Sequence, residues 1–300
     1  MTNKPNRFSK ISRLALAGTA AFALAACGSS GGDKTATVKP SSTVDARLAA
    51  QVPADIKSSG KITIGTDASY APNEFFDTDG KTIIGMDVDL GQAIGAKLGL
   101  TVTFENADFS GIIPAVQSNK YQLAMSSFTD NTDREKVVDM VTYFTAGTSM
   151  AVKKGTTLSV DDLCGHKMAV QKGTVQLDDL KARSKKCTDA GKKAISLTSL
   201  PLQSDVSLAV VNGRAEGFLA DSPVTAYAVK QSNGALEITG DAYDDAPYGI
   251  VVPKAKGQFA QAVLGALQAL NADGTYLAIL KKWGVEAGAI TDFKVNGANG

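Results

Sequence analysis

Two hydrophobic periodicities alternate along most of the chain. Short β-rich runs such as "KITIG" and "TVTF" are separated by stretches in which apolar residues recur every three or four positions. In "DVDLGQAIGAKLG" this spacing puts Leu90, Ile94 and Leu98 on one helical face. The helix is predicted to open on Asp87 and to close on Gly99, which is a residue type that favours helix ends.

The same alternation continues to the end of the chain. The further segments with these patterns are the strands "YQLAM", "HKMAV", "EGFLA" and "YGIVVP", and the helices "SGIIPAVQSN", "VQLDDLKARSKK", "SDVSLAVVNG", "GQFAQAVLGALQAL" and "GTYLAILKKWG". Strands separated by helical segments predict an α/β fold with parallel strands. Ligands of such sheets bind in crevices at the carboxyl ends of strands.

The first 27 residues have the features of an export signal. They carry four basic and no acidic residues, followed by a small apolar run that ends in "LAAC". That run resembles a bacterial lipobox, so we expect residues 1–26 to be a signal peptide and Cys27 to be lipidated, with thioether and acyl chains such as palmitate. An uncleaved membrane anchor is the alternative, although residues 14–26 are shorter than the roughly 20 residues that a span needs.

Residues 27–55 are rich in Gly, Ser, Thr and Lys and predict a flexible stalk, with a short helix near 44–50. The folded part is expected from Ile56 onward. Loss of the signal peptide would move the formal charge from +1 to −3, which excludes the basic footprint of a nucleic-acid-binding protein.

With Cys27 assigned to lipid, Cys164 and Cys187 remain, and an even pair in an exported chain favours a disulfide. A metal or catalytic-thiol site that includes His166 is the alternative. One His and two Cys are too few for a closed zinc site, so no metal is predicted.

Polar clusters follow four of the predicted strands: "TDASY", "SSFTDNTDR", "QKGTVQ" and "DSP". Arg134 offers a planar fork that suits a carboxylate, and Ser126, Ser127 and Thr129 offer hydroxyls and amides beside it. Asp221 supplies an isolated anion. An arginine and a carboxylate at one site are what an α-amino acid zwitterion requires.

Each residue also has a purely structural interpretation. Arg134 could be a solvated charge on a helix face, and Asp221 could cap the helix that follows it. The two serines could be turn residues, and Tyr70 and Phe109 could belong to the core.

Together the clusters resemble a known family. The stretches "GTDASYAPNEFFD", "GMDVDLGQAIGAKLG", "DFSGIIPAVQSNKYQLAMSSFTDNTDREKVVD", "QKGTVQ" and "GRAEGFLADSP" are similar to amino-acid-binding proteins of ABC importers, solute-binding protein family 3. The resemblance covers residues 62–283. It implies the type II periplasmic-binding-protein fold, with two mixed sheets and flanking helices in two lobes that are joined by two crossing strands.

The resemblance also assigns roles at the ligand head group. Arg134 would clamp the α-carboxylate with help from Thr129 and the amide of Thr174, and Ser127 and Asp221 would hold the α-ammonium.

Tyr70 and Phe109 would sandwich the ligand side chain, and Asp67 and Ser126 would face its polar tip. Because Asp67 is acidic, a cationic or amide side chain is favoured. Asn73 stands where the family usually has an aromatic residue, so a more polar pocket mouth is expected.

Lobe 1 would comprise residues 56–148 and 246–293, and lobe 2 would be the insert 151–241. The implied function is that of a monomeric lipoprotein on the outer face of the cell membrane. It would capture a polar amino acid without a cofactor, close around it, and deliver it to the permease of an ABC importer.

Two other function classes stay open. The same fold hosts enzymes such as dehydratases, which need a general acid or base in the cleft, and here only Asp67, Glu74 and Asp221 offer carboxylates. No enzyme activity is expected. A membrane-tethered sensor that feeds no transporter is the other alternative.

Overall fold

A computed structural model describes residues 43–298, so the predicted signal peptide, Cys27 and the stalk up to residue 42 lie outside the described residues. The helices are α1 (Ala46–Ala50), α2 (Ala54–Ser59), α3 (Met86–Leu98), α4 (Phe109–Gln117), α5 (Thr132–Glu135), α6 (Val175–Asp189), α7 (Gln203–Val211), α8 (Ser222–Gln231), α9 (Phe259–Ala272) and α10 (Thr275–Trp283). The strands are β1 (Lys61–Thr66), β2 (Ser69–Tyr70), β3 (Glu74–Phe76), β4 (Ile83–Ile84), β5 (Thr101–Asn106), β6 (Leu123–Ala124), β7 (Asp139–Lys153), β8 (Lys167–Gln171), β9 (Ser196–Leu200), β10 (Gly217–Asp221) and β11 (Leu236–Val252).

Eight strands form one mixed sheet in the order β5-β1-β6-β11-β7-β10-β8-β9, and β2, β3 and β4 form a small separate sheet. β1 is parallel to β5 and β6, and β8 is parallel to β9 and β10. The long strands β7 and β11 are antiparallel to each other and connect these two groups. The fold is therefore the mixed α/β arrangement that the sequence predicts.

The sheet consists of two halves that meet along β7 and β11. We call the strands β5, β1 and β6, the small sheet β2–β4 and the helices α1–α5, α9 and α10 the first half, and the strands β10, β8 and β9 with α6, α7 and α8 the second half. The sequence predicts two sheets, but the crossing strands pair along most of their length and make the ladder continuous. Their register shifts between Thr239 and Tyr248, which is where the two halves join.

Separate hydrophobic clusters fill the two halves. In the first half the apolar face of α3 packs with α9 and α10 over β1 and β5. Gly95 lets α3 approach the sheet closely, because a Cβ at this position would overlap Val102. In the second half, separate clusters lie beneath α6 and around α7.

The folded region begins earlier than Ile56, which corrects the predicted stalk boundary. Asp45 caps α1 through its carboxylate, and its amide donates to the carbonyl of Lys97 at 2.9 Å. Leu48 packs on the core of the first half, and Val52 is 5% exposed. These two apolar side chains anchor a segment whose polar composition had indicated a stalk.

Cys164 and Cys187 form a disulfide, as predicted. The bond ties the C-terminal part of α6 to the loop before β8, inside the second half. Because both cysteines are in the disulfide, the alternative site with His166 has no free thiol from this pair. The Nδ1 of His166 lies 2.7 Å from a carboxylate oxygen of Glu216.

Within residues 43–298, no single helix is long and apolar enough to cross a bilayer. By length and composition alone, α9 and α10 together, with a bend of 80° between them, would be long and apolar enough.

The disulfide provides a test of the second half. Because it closes a loop between positions 23 residues apart, replacing both cysteines by alanine should lower the free energy of unfolding by about 3 kcal/mol. Guanidinium denaturation of the oxidised protein and of the double variant measures this difference. An unchanged midpoint in the double variant would show that the bond contributes nothing to stability.

Candidate functional site

The polar loops after β1, β6, β8 and β10 converge on one small cavity between the two halves. Its volume is about 10 Å³, roughly what one water molecule needs. The residues that line it are Tyr70, Phe109, Ser126, Ser127, Thr129, Arg134, Gln171, Thr174, Val175, Gln176 and Asp221. Eight of the nine predicted ligand-binding residues are therefore brought together, and Asp67 is the exception.

Arg134 points into this cavity and is not a solvated helix charge. Its Nη1 donates to the carbonyl of Thr129 at 2.8 Å and its Nη2 to the carbonyl of Gly173 at 3.3 Å. The guanidinium carbon lies 5.6 Å from the ring centre of Phe109 and 5.3 Å from that of Phe128. Burial lowers the pKa of Arg134 to about 10, so the side chain is still charged at neutral pH.

Asp221 stands at the N-cap position of α8, but its side chain makes no cap hydrogen bond. Its oxygens instead accept from the hydroxyls of Tyr70 and Tyr248, both at 2.8 Å, and from Nε2 of Gln176 at 2.7 Å. Burial raises the pKa of Asp221, and these three donors oppose that shift. The helix-cap interpretation of its carboxylate is therefore wrong.

Ser127 adopts a left-handed backbone conformation, with φ of 51°. Such a conformation costs free energy in a residue other than glycine and needs support from its surroundings. The Ser127 amide donates to Asp87 at 3.0 Å, and its hydroxyl donates to Glu74 at 3.3 Å. Asn73 Nδ2 donates to the same hydroxyl at 2.9 Å. Asn73 is fully buried in this network, which corrects the expectation that it makes the pocket mouth polar.

Glu74 and Asp87 form a carboxyl pair directly behind the two serines, and both are fully buried. Ser126 donates to Glu74 at 3.1 Å, and the hydroxyl of Tyr143 donates to Asp87 at 2.7 Å. Burial and the nearby Asp87 raise the pKa of Glu74 well above its usual value. Burial raises the pKa of Asp87 to about 6. Burial and mutual repulsion therefore favour protonation of one carboxyl, and the two groups titrate as a pair.

Asp67 lies behind the cavity lining, which corrects its predicted place at the ligand tip. One carboxylate oxygen accepts from the Ser69 hydroxyl at 2.6 Å. The other accepts from the amide of Phe109 at 3.0 Å and from Gln171 Nε2 at 3.1 Å. Because Asp67 is 1% exposed and fully bonded, it acts on the cavity through its field and through the groups that it orients.

Thr174 caps α6: its hydroxyl accepts from the amide of Leu177 at 3.2 Å and donates to the carbonyl of Gln171 at 2.9 Å. These two hydrogen bonds of one hydroxyl hold the loop that places the Thr174 amide at the cavity. Thr174 therefore occupies the end of the cavity nearest Arg134, whose Nη2 reaches the neighbouring residue Gly173.

Sequence reasoning did not assign roles to several residues at the cavity. Gln171 and Gln176 belong to the "QKGTVQ" cluster, so their position after a strand was the available signal. Phe128 lies inside the "SSFTDNTDR" cluster, so the same signal was available for it. Tyr248 lies on a crossing strand, and no motif in the sequence indicates its place beside the site.

The two halves are in direct contact around the cavity. The contacts that cross between them are Tyr70 Oη to Asp221 at 2.8 Å, Arg134 Nη2 to Gly173 O at 3.3 Å, Gln171 Nε2 to Asp67 at 3.1 Å, and Gln203 N to Ser69 Oγ at 3.0 Å. With about 10 Å³ available, an amino acid enters only if the halves or their side chains move apart.

The chain matches the family of bacterial extracellular solute-binding proteins, family 3, over residues 62–286. It is 34% identical over 252 residues to the arginine-binding protein ArgT of Corynebacterium glutamicum, covering 83% of this chain and 82% of that protein.

Solved structures of amino-acid-binding proteins are also similar to this chain. An ancestral arginine-binding protein bound to arginine has 36% identity and a TM-score of 0.70, covering 75% of this chain and 98% of that one. The ancestral amino-acid-binding protein AncCDT-1, a precursor of cyclohexadienyl dehydratase, has 32% identity and a TM-score of 0.69, covering 76% of this chain and 97% of that one. From the match over residues 62–286 and these relatives, the chain belongs to the bacterial extracellular solute-binding proteins of family 3, the amino-acid-binding proteins of ABC importers.

Proposed function

We propose that this protein captures a cationic amino acid, arginine first, between its two halves and delivers it to an ABC importer. The observation that carries the proposal is the pairing of Arg134 and Asp221 in one cavity, each supplied by a different half. An α-amino acid presents the complementary charges at the spacing of a single carbon. The relatives that are named arginine-binding proteins support the choice of ligand.

At the head group, the fork of Arg134 would bind the α-carboxylate together with Thr129 and the amide of Thr174. The α-ammonium would go to Asp221 and Ser127. In the closed arrangement Asp221 already accepts three hydrogen bonds, two from tyrosines and one from Gln176. An incoming ammonium would therefore replace at least one of these donors.

The ligand side chain would lie between Tyr70 and Phe109 and end near Ser126. Behind Ser126 lies the fully buried Glu74–Asp87 pair, in which an ionised Asp87 would supply a negative charge at neutral pH. A guanidinium or ammonium at this end gains electrostatic free energy that a neutral amide does not. This charge supports a cationic ligand more directly than Asp67 does.

Closure follows from ligand bonds to both halves. A ligand held by Arg134 on one side and Asp221 on the other favours the closed state by its differential affinity for that state. Hydrogen bonds to charged groups contribute roughly 1.5 to 3 kcal/mol each, so four or five cover the roughly 8 kcal/mol of micromolar binding after ordering costs.

The remaining parts of the proposal concern the two lobes and the location of the protein in the cell. The two halves would act as the lobes expected at residues 56–148 with 246–293 and at 151–241. We place the protein outside the cytoplasm as a monomer that is lipidated at Cys27 after removal of residues 1–26. The basic start of the sequence and its "LAAC" run support this.

A dehydratase activity is the second candidate, because AncCDT-1 is described as a precursor of such an enzyme. In this cavity the carboxylates that could transfer protons are engaged: Asp221 with two tyrosines and Gln176, and Glu74 with two serines. Their engagement supports binding over proton transfer. Recovery of chemically unchanged arginine after incubation tests this choice.

Replacing Arg134 by alanine should abolish most arginine binding, because the ligand carboxylate would be desolvated without a partner. Isothermal titration of residues 28–300 with arginine, lysine, ornithine, histidine and glutamine measures the effect after any bound ligand is removed by unfolding and refolding. The matched control is Arg214→Ala, an exposed arginine in the second half. Near-native affinity in Arg134→Ala would contradict the proposed head-group site.

Arginine affinity should rise between pH 5 and pH 7.5, while glutamine affinity should change less. Burial raises the pKa of Asp87 to about 6, so the Asp87 carboxyl behind Ser126 is protonated below that pH and ionised above it. A cation favours the ionised pair and by linkage lowers the pKa of Asp87. Isothermal titrations with arginine and with glutamine at pH 5 and pH 7.5 give, for each ligand, the ratio of the affinities at the two pH values. An equal pH dependence for arginine and glutamine would show that the pair does not face the ligand's cationic group.

A further inference from the structure

The last described residues, 294–298, form a segment that runs beside the beginning of β7, and we call it the C-terminal segment. The amide of Thr142 donates to the carbonyl of Lys294 at 2.8 Å, and the amide of Asn296 donates to the carbonyl of Met140 at 2.7 Å. The Asn296 side chain accepts from the Met140 amide at 2.9 Å. These bonds make the segment a short additional strand on the first half.

Beyond that pairing, the segment binds two carboxylates, one before and one after Arg134 in sequence. The amide of Gly297 donates to Asp130 Oδ2 at 2.9 Å, and the amide of Ala298 donates to Glu135 Oε1 at 2.9 Å. Both bonds are charge-assisted when the carboxylates are ionised. Two consecutive backbone amides thus hold the two ends of the loop that carries the ligand-clamping arginine.

These carboxylates need donors because they lie close together and because Asp130 is buried. Asp130 is 2% exposed. Burial first, and then the neighbouring Glu135, raise the pKa of Asp130 to about 7. The other oxygen of Asp130, Oδ1, has no hydrogen-bond partner among the described residues. The amides of the C-terminal segment therefore offset part of an otherwise unfavourable carboxyl pair.

The opposite side of the same loop is held by β11. The amide of Asp130 donates to the carbonyl of Pro247 at 2.7 Å, and the amide of Gly249 donates to the carbonyl of Phe128 at 2.8 Å. Between these two supports lies α5, which has only four residues and cannot hold its own shape. The direction of the Arg134 side chain therefore depends on both supports.

We propose that the C-terminal segment is a positioning element of the ligand site, which fixes Arg134 for the α-carboxylate through Asp130 and Glu135. The inference rests on the proposed function for its effect on binding, but the orientation of Arg134 can be measured without any ligand. Its residues do not touch the cavity, so their effect on the ligand is transmitted through α5.

The test deletes the hydrogen bond between the Ala298 amide and Glu135, either at its donor or at its acceptor. The protein used comprises residues 28–300, which include every described element. Ala298→Pro deletes the donating amide, and its matched control Ala298→Ser keeps it. Glu135→Ala deletes the acceptor, Glu135→Gln keeps an acceptor oxygen, and Asp133→Ala is the control on the exposed face of the same helix. The double variant Ala298→Pro with Glu135→Ala completes the cycle.

We expect Ala298→Pro and Glu135→Ala each to weaken arginine binding by roughly threefold to tenfold. The double variant should be no weaker than either single variant, because both delete one bond. Glu135→Gln, Ala298→Ser and Asp133→Ala should stay within about twofold of the unchanged protein. Additive losses, or equal losses in Glu135→Gln and Glu135→Ala, would overturn the proposal.

A second readout reports on Arg134 alone. In the ¹⁵N spectrum of the ligand-free protein, its side-chain Nε resonance is assigned by its disappearance in Arg134→Lys. It should shift or broaden in Ala298→Pro and Glu135→Ala and stay in place in their controls. An unchanged resonance in the two deletion variants would refute the positioning role even if binding fell. If the unchanged protein binds no amino acid, the proposed function fails, and the resonance still decides this inference.

Discussion

Two opposite charges withdrawn from water on different halves of the molecule dominate this structure. Arg134 and Asp221 each carry a desolvation cost, and each has a pKa shifted toward its neutral form by burial. Among the described residues neither charge is hydrogen-bonded to an opposite charge: Arg134 donates to two carbonyls, and Asp221 accepts from hydroxyls and an amide. A zwitterionic ligand would bring both counter-charges and offset two desolvation costs at once, which is why the proposed ligand is an amino acid.

The first half prepares this cavity more rigidly than the second. Ser127 is held in an unfavourable backbone conformation by Asp87 and Glu74, which are themselves fully buried. Such a conformation persists only where the surroundings over-determine it. In the second half, the contributions come from the starts of α6 and α8, where Thr174 and Asp221 stand at the first turn of a helix.

Sequence patterns predicted the alternation of strands and helices, the disulfide and most of the cavity lining. They worked because a helix or strand with one buried face repeats its apolar residues at a fixed interval, and because polar loops follow parallel strands at one edge. They gave no indication of β2, β3 and β4, because strands of two or three residues are too short to show a repeating pattern of apolar and polar positions. The sequence could not predict the position of the Asp67 side chain either. That position depends on a hydrogen bond from Gln171, which lies 104 positions away in the other half. The short helix predicted near residues 44–50 is present as α1, but its packing on the core was not predicted because the segment around it is rich in Gly, Ser, Thr and Lys.

The packing of α1 decides how the described domain is attached to whatever precedes it. Leu48 of α1 rests on the core of the first half, and the amide of Asp45 is bonded to the end of α3, so the chain enters through the first half. Any pull on the N-terminal side is transmitted to the half that carries Arg134 and the carboxyl pair. If the proposed closure is a swing of the second half about β7 and β11, it would leave the point of attachment in place.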